Sequence, residues 1–141
     1  MAISSGAIRQ AAAIPVRDGK LCLVTSSSGK RWVIPKGCIE LGTTAGEMAL
    51  QEAWEEAGLV GVLQREPAGT YLYEKLGSRY HVTVFLLRVT EVAEHWPEMS
   101  LRQRAWLKPA QALARLDDPG LQAVLRGTLN GDRFKTGELS A

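Results

Sequence analysis

The chain has few cysteines, little net charge and no long apolar segment, and each shortage excludes a class of protein. Two cysteines, Cys22 and Cys38, among 141 residues are too few for a disulfide framework. A formal charge of +2 is too small to support bulk binding of nucleic acid. No segment approaches the roughly 20 apolar residues that a transmembrane helix needs, so we expect no contact with a membrane.

The first residues also lack a long apolar region after a basic start, so we expect no signal peptide and a cytoplasmic location. The length of 141 residues suffices for a substantial core, and we expect residues 1–141 to form a single domain. No internal repeat or low-complexity linker divides the chain. The oligomeric state is left open between a monomer and a homodimer.

Apolar and β-branched segments alternate with turn signals along most of the chain. They predict strands at about residues 8–16, 21–25, 31–34, 60–63, 69–73, 80–90 and 104–107. Between these strands we expect a turn at 74–78 and a loop at 91–100, and after them helices at about 109–116 and 119–126 and a polar tail from Thr128. Strands interrupted by one central helix, with further helices at the end, predict a mixed sheet between helices.

The central helix lies in the stretch from Gly37 to Leu59, GCIELGTTAGEMALQEAWEEAGL. Thr44, followed three residues later by Glu47, predicts a capping box, and Gly58 is a natural stop. Upstream, Pro35-Lys36-Gly37 predicts a turn whose backbone can approach a ligand closely. The residues expected to supply the apolar surface of the helix are Met48, Leu50, Ala53, Trp54 and Ala57.

This helix also carries three carboxylates, Glu52, Glu55 and Glu56. Because a helix has 3.6 residues per turn, Glu52 and Glu56 project from one face, with Glu55 beside them. A divalent cation would convert their repulsion into ligation. Oxygen ligands suit Mg²⁺ or Mn²⁺, which take one or two protein carboxylates and complete the shell with phosphates and water. The alternative is a solvated acidic helix face.

The spacing around these acids resembles the Nudix box, G-x5-E-x7-R-E-U-x-E-E-x-G-U, in which U is a bulky apolar residue. Ala53 is a small occupant of a U position. Two positions depart from the box, because Thr43 stands where the family has its first Glu and Gln51 stands where it has Arg. In the family these two groups brace the loop and the helix. The positions that match are Gly37, Glu52, Glu55, Glu56, Gly58 and Leu59.

The resemblance extends beyond the box, to segments similar to the branch of that superfamily that hydrolyses diphosphoinositol polyphosphates and diadenosine polyphosphates. The resemblance implies an α/β fold of the Nudix type, an α/β/α sandwich with a mixed β-sheet. It also implies a pyrophosphohydrolase that uses Mg²⁺ to cleave a phosphoanhydride bond in a small-molecule polyphosphate. The similar segments are Arg9-Gln-Ala-Ala-Ala, Leu23-Val-Thr-Ser-Ser-Ser, Arg31-Trp-Val-Ile-Pro, Glu55-Glu-Ala-Gly-Leu-Val-Gly, Val89-Thr-Glu-Val and Arg102-Gln-Arg-Ala-Trp-Leu.

The resemblance further implies roles for individual residues. Glu52, Glu56 and the backbone carbonyl of Lys36 would hold Mg²⁺, with Mn²⁺ as a substitute. Glu55 would orient the attacking water. Acids of the loop after the longest strand are alternatives for that role, namely Glu91, Glu94 and Glu98. Substrate phosphates would contact the hydroxyl of Ser27 and the basic side chains of Arg9, Arg31, His81 and Arg102.

Several functions remain open on the sequence. A diadenosine or diphosphoinositol polyphosphate is the favoured substrate, with the nucleotide slightly preferred. One alternative is an ADP-ribose or nucleoside triphosphate pyrophosphatase. Another is a catalytically silent Nudix-like module that binds nucleotides, which Thr43 and Gln51 motivate and the three intact carboxylates argue against. The last is a structural protein with an acidic helix face.

Overall fold

The structure is a computed structural model that describes residues 6–131. Strands and helices alternate along this part of the chain. Their order is β1 (Ile8–Arg17), β2 (Lys20–Thr25), β3 (Trp32–Val33), β4 (Lys36–Cys38), α1 (Ala45–Ala57), β5 (Leu59–Leu63), β6 (Gly69–Lys75), β7 (Ser78–Val92), β8 (Arg104–Leu107), α2 (Pro109–Arg115) and α3 (Pro119–Leu129).

The strands form one mixed sheet with the order β3-β2-β1-β7-β5, to which β4, β6 and β8 add through β1, β7 and β2. The two central strands, β1 and β7, run parallel from the pair Ile8 and Tyr80 to the pair Val16 and Arg88. The neighbouring pairs are antiparallel. The predicted mixed sheet is therefore confirmed.

Alternate residues of β1 face two different cores. Ala11 and Ala13 pack with the buried side of α1, whereas Ile14 and Val16 pack with α2 and α3 on the opposite face. The small side chains on the first face let α1 approach the sheet closely, which gives the alanine-rich β1 a packing role. Helices on both faces of the sheet make the predicted α/β/α sandwich.

Helix α1 begins and ends as its sequence predicts. The backbone N–H of Glu47 donates to Thr44 Oγ1 over 3.1 Å, and the Thr44 N–H donates to the Glu47 carboxylate over 2.8 Å. Gly58 ends the helix in the left-handed conformation, with φ of 68°. Of the residues expected to supply the apolar surface of the helix, Leu50 and Trp54 are 38% and 39% exposed and do not belong to the core. They lie one position beyond Ala49 and Ala53, which face the sheet, and so they point away from it.

Several element boundaries differ from the predicted ones. The predicted turn at Pro35-Lys36-Gly37 contains strand β4, whose three residues pair with β1 and are too few to show an alternating pattern. Strands β6 and β7 are longer than predicted, which reduces their connection to Leu76-Gly77, with φ of 51° and 81°. Strand β7 also takes Glu91 out of the predicted loop, and α3 includes Thr128.

Two sequence predictions lie wholly or partly outside the described residues. The polar tail beyond residue 131 is one, and the start of the chain at residues 1–5, which bears on the signal peptide, is the other.

Cys22 is buried, Cys38 is exposed, and both are free thiols. Within residues 6–131, none of the helices has the length and apolarity of a membrane span.

Candidate active site

The carboxylates of Glu52 and Glu56 lie against the backbone of β4. Glu56 is only 6% exposed, and its Oε1 accepts a hydrogen bond of 3.3 Å from the Lys36 N–H. A Cβ atom on Gly37 would lie 2.5 Å from Glu52 Cδ and 2.8 Å from each carboxylate oxygen. Only glycine therefore leaves room at this point for the Glu52 carboxylate.

Burial raises the pKa of both acids. Burial raises the pKa of Glu56 to about 8, and its hydrogen bond to Glu52 adds to the shift, while Arg102 and the Lys36 N–H oppose it. Burial also raises the pKa of Glu52, whose hydrogen bond with Glu56 acts in the other direction. Burial therefore disfavours two negative charges at this pair when no cation is bound.

This pair has the chemistry of a site for a hard divalent cation. In the part of the chain that the structure describes, no three His, Cys, Asp or Glu side chains lie close enough to hold a metal by themselves. Mg²⁺ needs no such cluster, because it commonly takes one or two carboxylates together with substrate phosphates and water. A cation would relieve the repulsion between the buried Glu56 carboxylate and the partly buried Glu52 carboxylate, so the residues present fit the group.

The raised pKa of Glu56 predicts that the fold becomes less stable as the pH rises. Between its ordinary value of 4.5 and about 8, the folded protein binds this proton and the unfolded chain does not. The extra stability is complete below 4.5 and is lost as the pH rises through 8. Mg²⁺ should offset the loss because it binds the deprotonated pair. Melting temperatures measured between about pH 5 and about pH 9, with and without Mg²⁺, check this prediction. A melting temperature that does not change with pH in Glu56→Gln would assign the effect to Glu56.

Glu55 and the two unusual box positions form local hydrogen bonds. The Gln51 side-chain amide donates to Glu55 Oε2 over 3.0 Å, one helical turn away. The Thr43 hydroxyl donates to the carbonyl of Glu40 over 2.6 Å. Neutral groups thus brace the loop and hold Glu55 where the family uses a charged pair.

The loop after β7 brings a further acid and an arginine to the same place. Arg102 Nε lies 2.8 Å from Glu98 Oε1, and Arg102 Nη2 lies 3.5 Å from Glu56 Oε2. Arg102 Nη1 also donates to the Thr25 carbonyl over 2.9 Å. Arg102 thus contacts Glu56, Glu98 and the Thr25 carbonyl at once. Its attraction for Glu56 offsets only part of the rise in pKa that burial causes. Among the alternative acids, Glu98 approaches the pair, raising the pKa of Glu52, whereas Glu91 and Glu94 are exposed.

A cleft of about 310 Å³ opens on the other face of the sheet, between β3, β4, β6 and the α2–α3 connection. Lys36 joins it to the acids, because its backbone contacts Glu56 while its ammonium lies 5.3 Å over the Tyr73 ring. Trp32, Tyr71 and Tyr73 supply aromatic surface. The charged residues of the lining are Arg31, Lys36, Lys75, Glu74, Asp117 and Asp118.

The cations around Lys36 repel one another. Burial lowers the pKa of Lys36, and Lys75, Arg31 and Arg102 lower it further, against the attraction of Glu56. A cationic group whose charge is disfavoured in this way gains from an anion. The region between the acid pair and the cleft is therefore suited to the negative charges of a phosphate chain.

The structure gathers some of the predicted substrate residues and separates others. Arg31 and Arg102 both act on Lys36, whose pKa their positive charges lower. Arg9 and His81 instead pair with each other across β1 and β7, and neither lines the cleft. The Nδ1 atom of His81 is buried without a hydrogen-bond partner among the described residues. Ser27 is exposed in a loop and also lies outside the cleft lining.

Sequence reasoning named Arg31 but missed most of the other residues that shape the cleft. It gave Lys36 a specific role only through its carbonyl and counted its ammonium as one of several basic groups, and it treated Tyr71 and Tyr73 only as part of a strand. Their spacing of two places both rings on one face of β6, which was the available signal. Arg104, which lies in the similar segment that begins at Arg102, donates to the Ala57 carbonyl at the end of α1 over 2.7 Å.

A mixed sheet between helices, with paired carboxylates on α1 and a cleft that Lys36 joins to them, is typical of a protein of the Nudix class. The chain belongs to the NUDIX domain family, whose model matches residues 7–126. Proteins of this family generally use a divalent metal. The family and the fold predicted from the box are thereby confirmed.

The relatives include plant and animal proteins. Nudix hydrolase 18, mitochondrial, from Arabidopsis thaliana is 36% identical over 66% of this chain and 53% of its own length. Diphosphoinositol polyphosphate phosphohydrolase 3-beta from Homo sapiens is 37% identical over 69% of this chain and 60% of its own. The chain thus spans little more than half the length of these relatives. The crystal structure of a C. elegans Ap4A hydrolase shares the fold, with a TM-score of 0.72 and 19% identity over 86% of this chain and 96% of its own.

Proposed function

We propose that the protein is a Mg²⁺-dependent pyrophosphohydrolase that cleaves a phosphoanhydride bond in a diadenosine polyphosphate or a related nucleotide. One observation carries the proposal. Strand β4 places the Lys36 backbone on the carboxylates of α1 and the Lys36 ammonium in the aromatic cleft. A polyphosphate chain bridging the two would meet a cation site at one end and a surface for a base at the other.

Glu52, Glu56 and the Lys36 carbonyl would hold the metal. A divalent cation bound there would draw negative charge from the phosphate oxygens as the anhydride bond breaks. Glu55, held by Gln51, would orient the attacking water and accept its proton. Glu98 stands close enough to share that role. Arg102 and Lys36 would bind and orient the phosphates, since Arg offers a planar fork and Lys a point charge.

The charge of the cleft favours a nucleotide over an inositol polyphosphate. Three cations in the lining are matched by three acids, Glu74, Asp117 and Asp118. A diphosphoinositol polyphosphate carries phosphates around its whole ring, and several would face these acids. A base has no charge to repel and can stack on the aromatic surface of Trp32, Tyr71 or Tyr73.

A silent module that binds nucleotides is the alternative of another class. It is motivated by Thr43 and Gln51, because the charged brace of the family is missing. The hydrogen bond from Gln51 to Glu55 argues for an enzyme, since it keeps Glu55 oriented without a charge. ADP-ribose and nucleoside triphosphates remain alternative substrates that would occupy the same cleft.

Turnover of a panel of anhydrides tests the proposal. Diadenosine tetraphosphate, ADP-ribose, a nucleoside triphosphate and a diphosphoinositol polyphosphate are incubated with the protein and Mg²⁺, and the products are resolved by chromatography. We expect the dinucleotide to lead the inositol compound by about tenfold or more in kcat/KM. The charge-neutralised variant Glu74→Gln/Asp117→Asn should narrow that gap. Tight nucleotide binding with no turnover of any compound would support the silent module instead.

We also propose a reducing compartment such as the cytoplasm, because both cysteines are free thiols. A relative named as mitochondrial makes an organelle the alternative. The site is built from one chain, so the proposal holds for a monomer and for a homodimer. Size-exclusion chromatography with light scattering distinguishes these two states.

A further inference from the structure

The last turn of α1 is held by residues from the loop after β7 and the start of β8. The Trp96 indole N–H donates to the Glu56 carbonyl over 3.0 Å, and Arg104 Nη1 donates to the Ala57 carbonyl over 2.7 Å. The Glu98 N–H donates to the Glu55 carbonyl over 3.0 Å. Three consecutive carbonyls that an α-helix leaves without partners are thus satisfied by one segment, which we call the helix clamp (Trp96, Glu98 and Arg104).

The clamp is itself tightly packed. The Arg104 guanidinium lies 4.1 Å over the Trp96 ring, and its second nitrogen donates to the Ala93 carbonyl. A Cβ on Gly58 would come within 2.9 Å of Arg104 Nη1 and of Trp96 Cβ. The glycine that ends α1 is therefore needed for the close approach of the clamp as well as for its left-handed backbone. Arg104 is anchored in the sheet, where its backbone pairs with Val24.

The clamp links the two halves of the acidic site. Glu52 and Glu56 belong to α1, while Glu98 and Arg102 belong to the loop that the clamp fixes to α1. Glu98 joins both functions, since its N–H holds the helix and its carboxylate holds Arg102 over 2.8 Å. A shift of the loop along the helix would move Arg102 away from Glu56.

We propose that Trp96 and Arg104 are positioning residues that set the register between the carboxylate helix and the Glu98–Arg102 pair, and so tune Mg²⁺ affinity without touching the ion. This inference rests on the proposed function. A purely structural cap would change the stability of the fold and leave the affinity for Mg²⁺ as it is. If Trp96 and Arg104 position the site, substituting either of them lowers the affinity for Mg²⁺ by more than the loss of fold stability accounts for.

Isothermal titration of the full chain with Mg²⁺, without substrate, distinguishes the two roles. Trp96→Phe keeps the ring under Arg104 and removes one donor, so we expect it to weaken Mg²⁺ binding by about 10- to 100-fold, as changes around a metal's ligands typically do. Arg104→Met should act in the same direction. Arg104→Lys keeps the positive charge and one donor nitrogen, so its affinity for Mg²⁺ should be higher than that of Arg104→Met.

The matched control is Val16→Ala, a core truncation on the opposite face of the sheet, where Val16 is fully buried. It should lower the melting temperature at least as much as Trp96→Phe and leave Mg²⁺ affinity unchanged. Wild-type affinity in both Trp96→Phe and Arg104→Met would overturn the inference and spare the proposed function. A wild-type protein that binds no Mg²⁺ would overturn both.

Discussion

Glu56→Gln should lower turnover by about 10²-fold or more, because it removes a buried negative charge that the transition state needs. Glu52→Gln should have a similar effect. Both variants should also lose most of their affinity for Mg²⁺, measured by calorimetry beside kcat. Glutamine resembles the protonated form of Glu56, which burial favours, so the fold should stay intact and the melting temperature of Glu56→Gln should not fall.

Glu47→Gln is the control for this pair. It neutralises another acid on the same helix, in a capping box that glutamine can still complete. Its Mg²⁺ affinity and turnover should remain those of the wild type. Full activity of either Glu52→Gln or Glu56→Gln at saturating Mg²⁺ would show that the ligand assignment is wrong.

Gly37→Ala should leave the fold intact and still reduce turnover by about 10²-fold, the cost that a displacement of about 1 Å in an active site can have. The new methyl group would occupy the space of the Glu52 carboxylate, 2.5 Å from Cδ. Because that carboxylate ends a flexible side chain, it can swing away at little cost in stability. It then no longer faces Glu56. Mg²⁺ affinity, turnover and melting temperature measured together separate the two effects.

Gly46→Ala makes the same chemical change near the start of α1. The nearest atom to its new Cβ would be Leu63 Cδ1 at 3.5 Å, an ordinary contact. The change should raise stability by roughly 0.5 kcal/mol, since alanine favours the helix, with no effect on Mg²⁺. If Gly37→Ala were as active as Gly46→Ala, the close fit of β4 to Glu52 would have no part in the reaction.

Local signals in the sequence predicted the helix and the position of its acids. Thr44, Glu47 and Gly58 act within one turn of the helix ends, so their effect can be read from neighbouring residues alone. The spacing of Glu52 and Glu56 follows from helix geometry in the same way. Strand β7 was equally clear, because its many β-branched and aromatic residues favour extended structure.

Contacts between distant segments were not predictable from those signals. Strand β4 owes its existence to pairing with β1, which its own three residues do not indicate. The exposure of Trp54 depends on which side of α1 meets the sheet. The clamp of Trp96 and Arg104 joins residues about 40 positions apart in the chain, at Glu56 and Ala57.

The basic residues illustrate the same limit. Arg9, Arg31, His81 and Arg102 were grouped by resemblance to one branch of the family. In the fold, strand alternation directs Arg9 and His81 to the α1 face of the sheet, whereas Arg31 lines the cleft on the other face. A role for Arg9 and His81 in substrate binding remains a prediction.

The parallel pairing of β1 with β7 has a consequence for how the protein is made. Ile8 finds its partner at Tyr80, so the side of β1 that pairs with β7 stays open until β7 has been synthesised. Such long-range pairing also slows refolding, because a large loop must close before the contact is gained. During that interval this edge of the apolar strand is open to wrong partners, and it is where we expect mispairing.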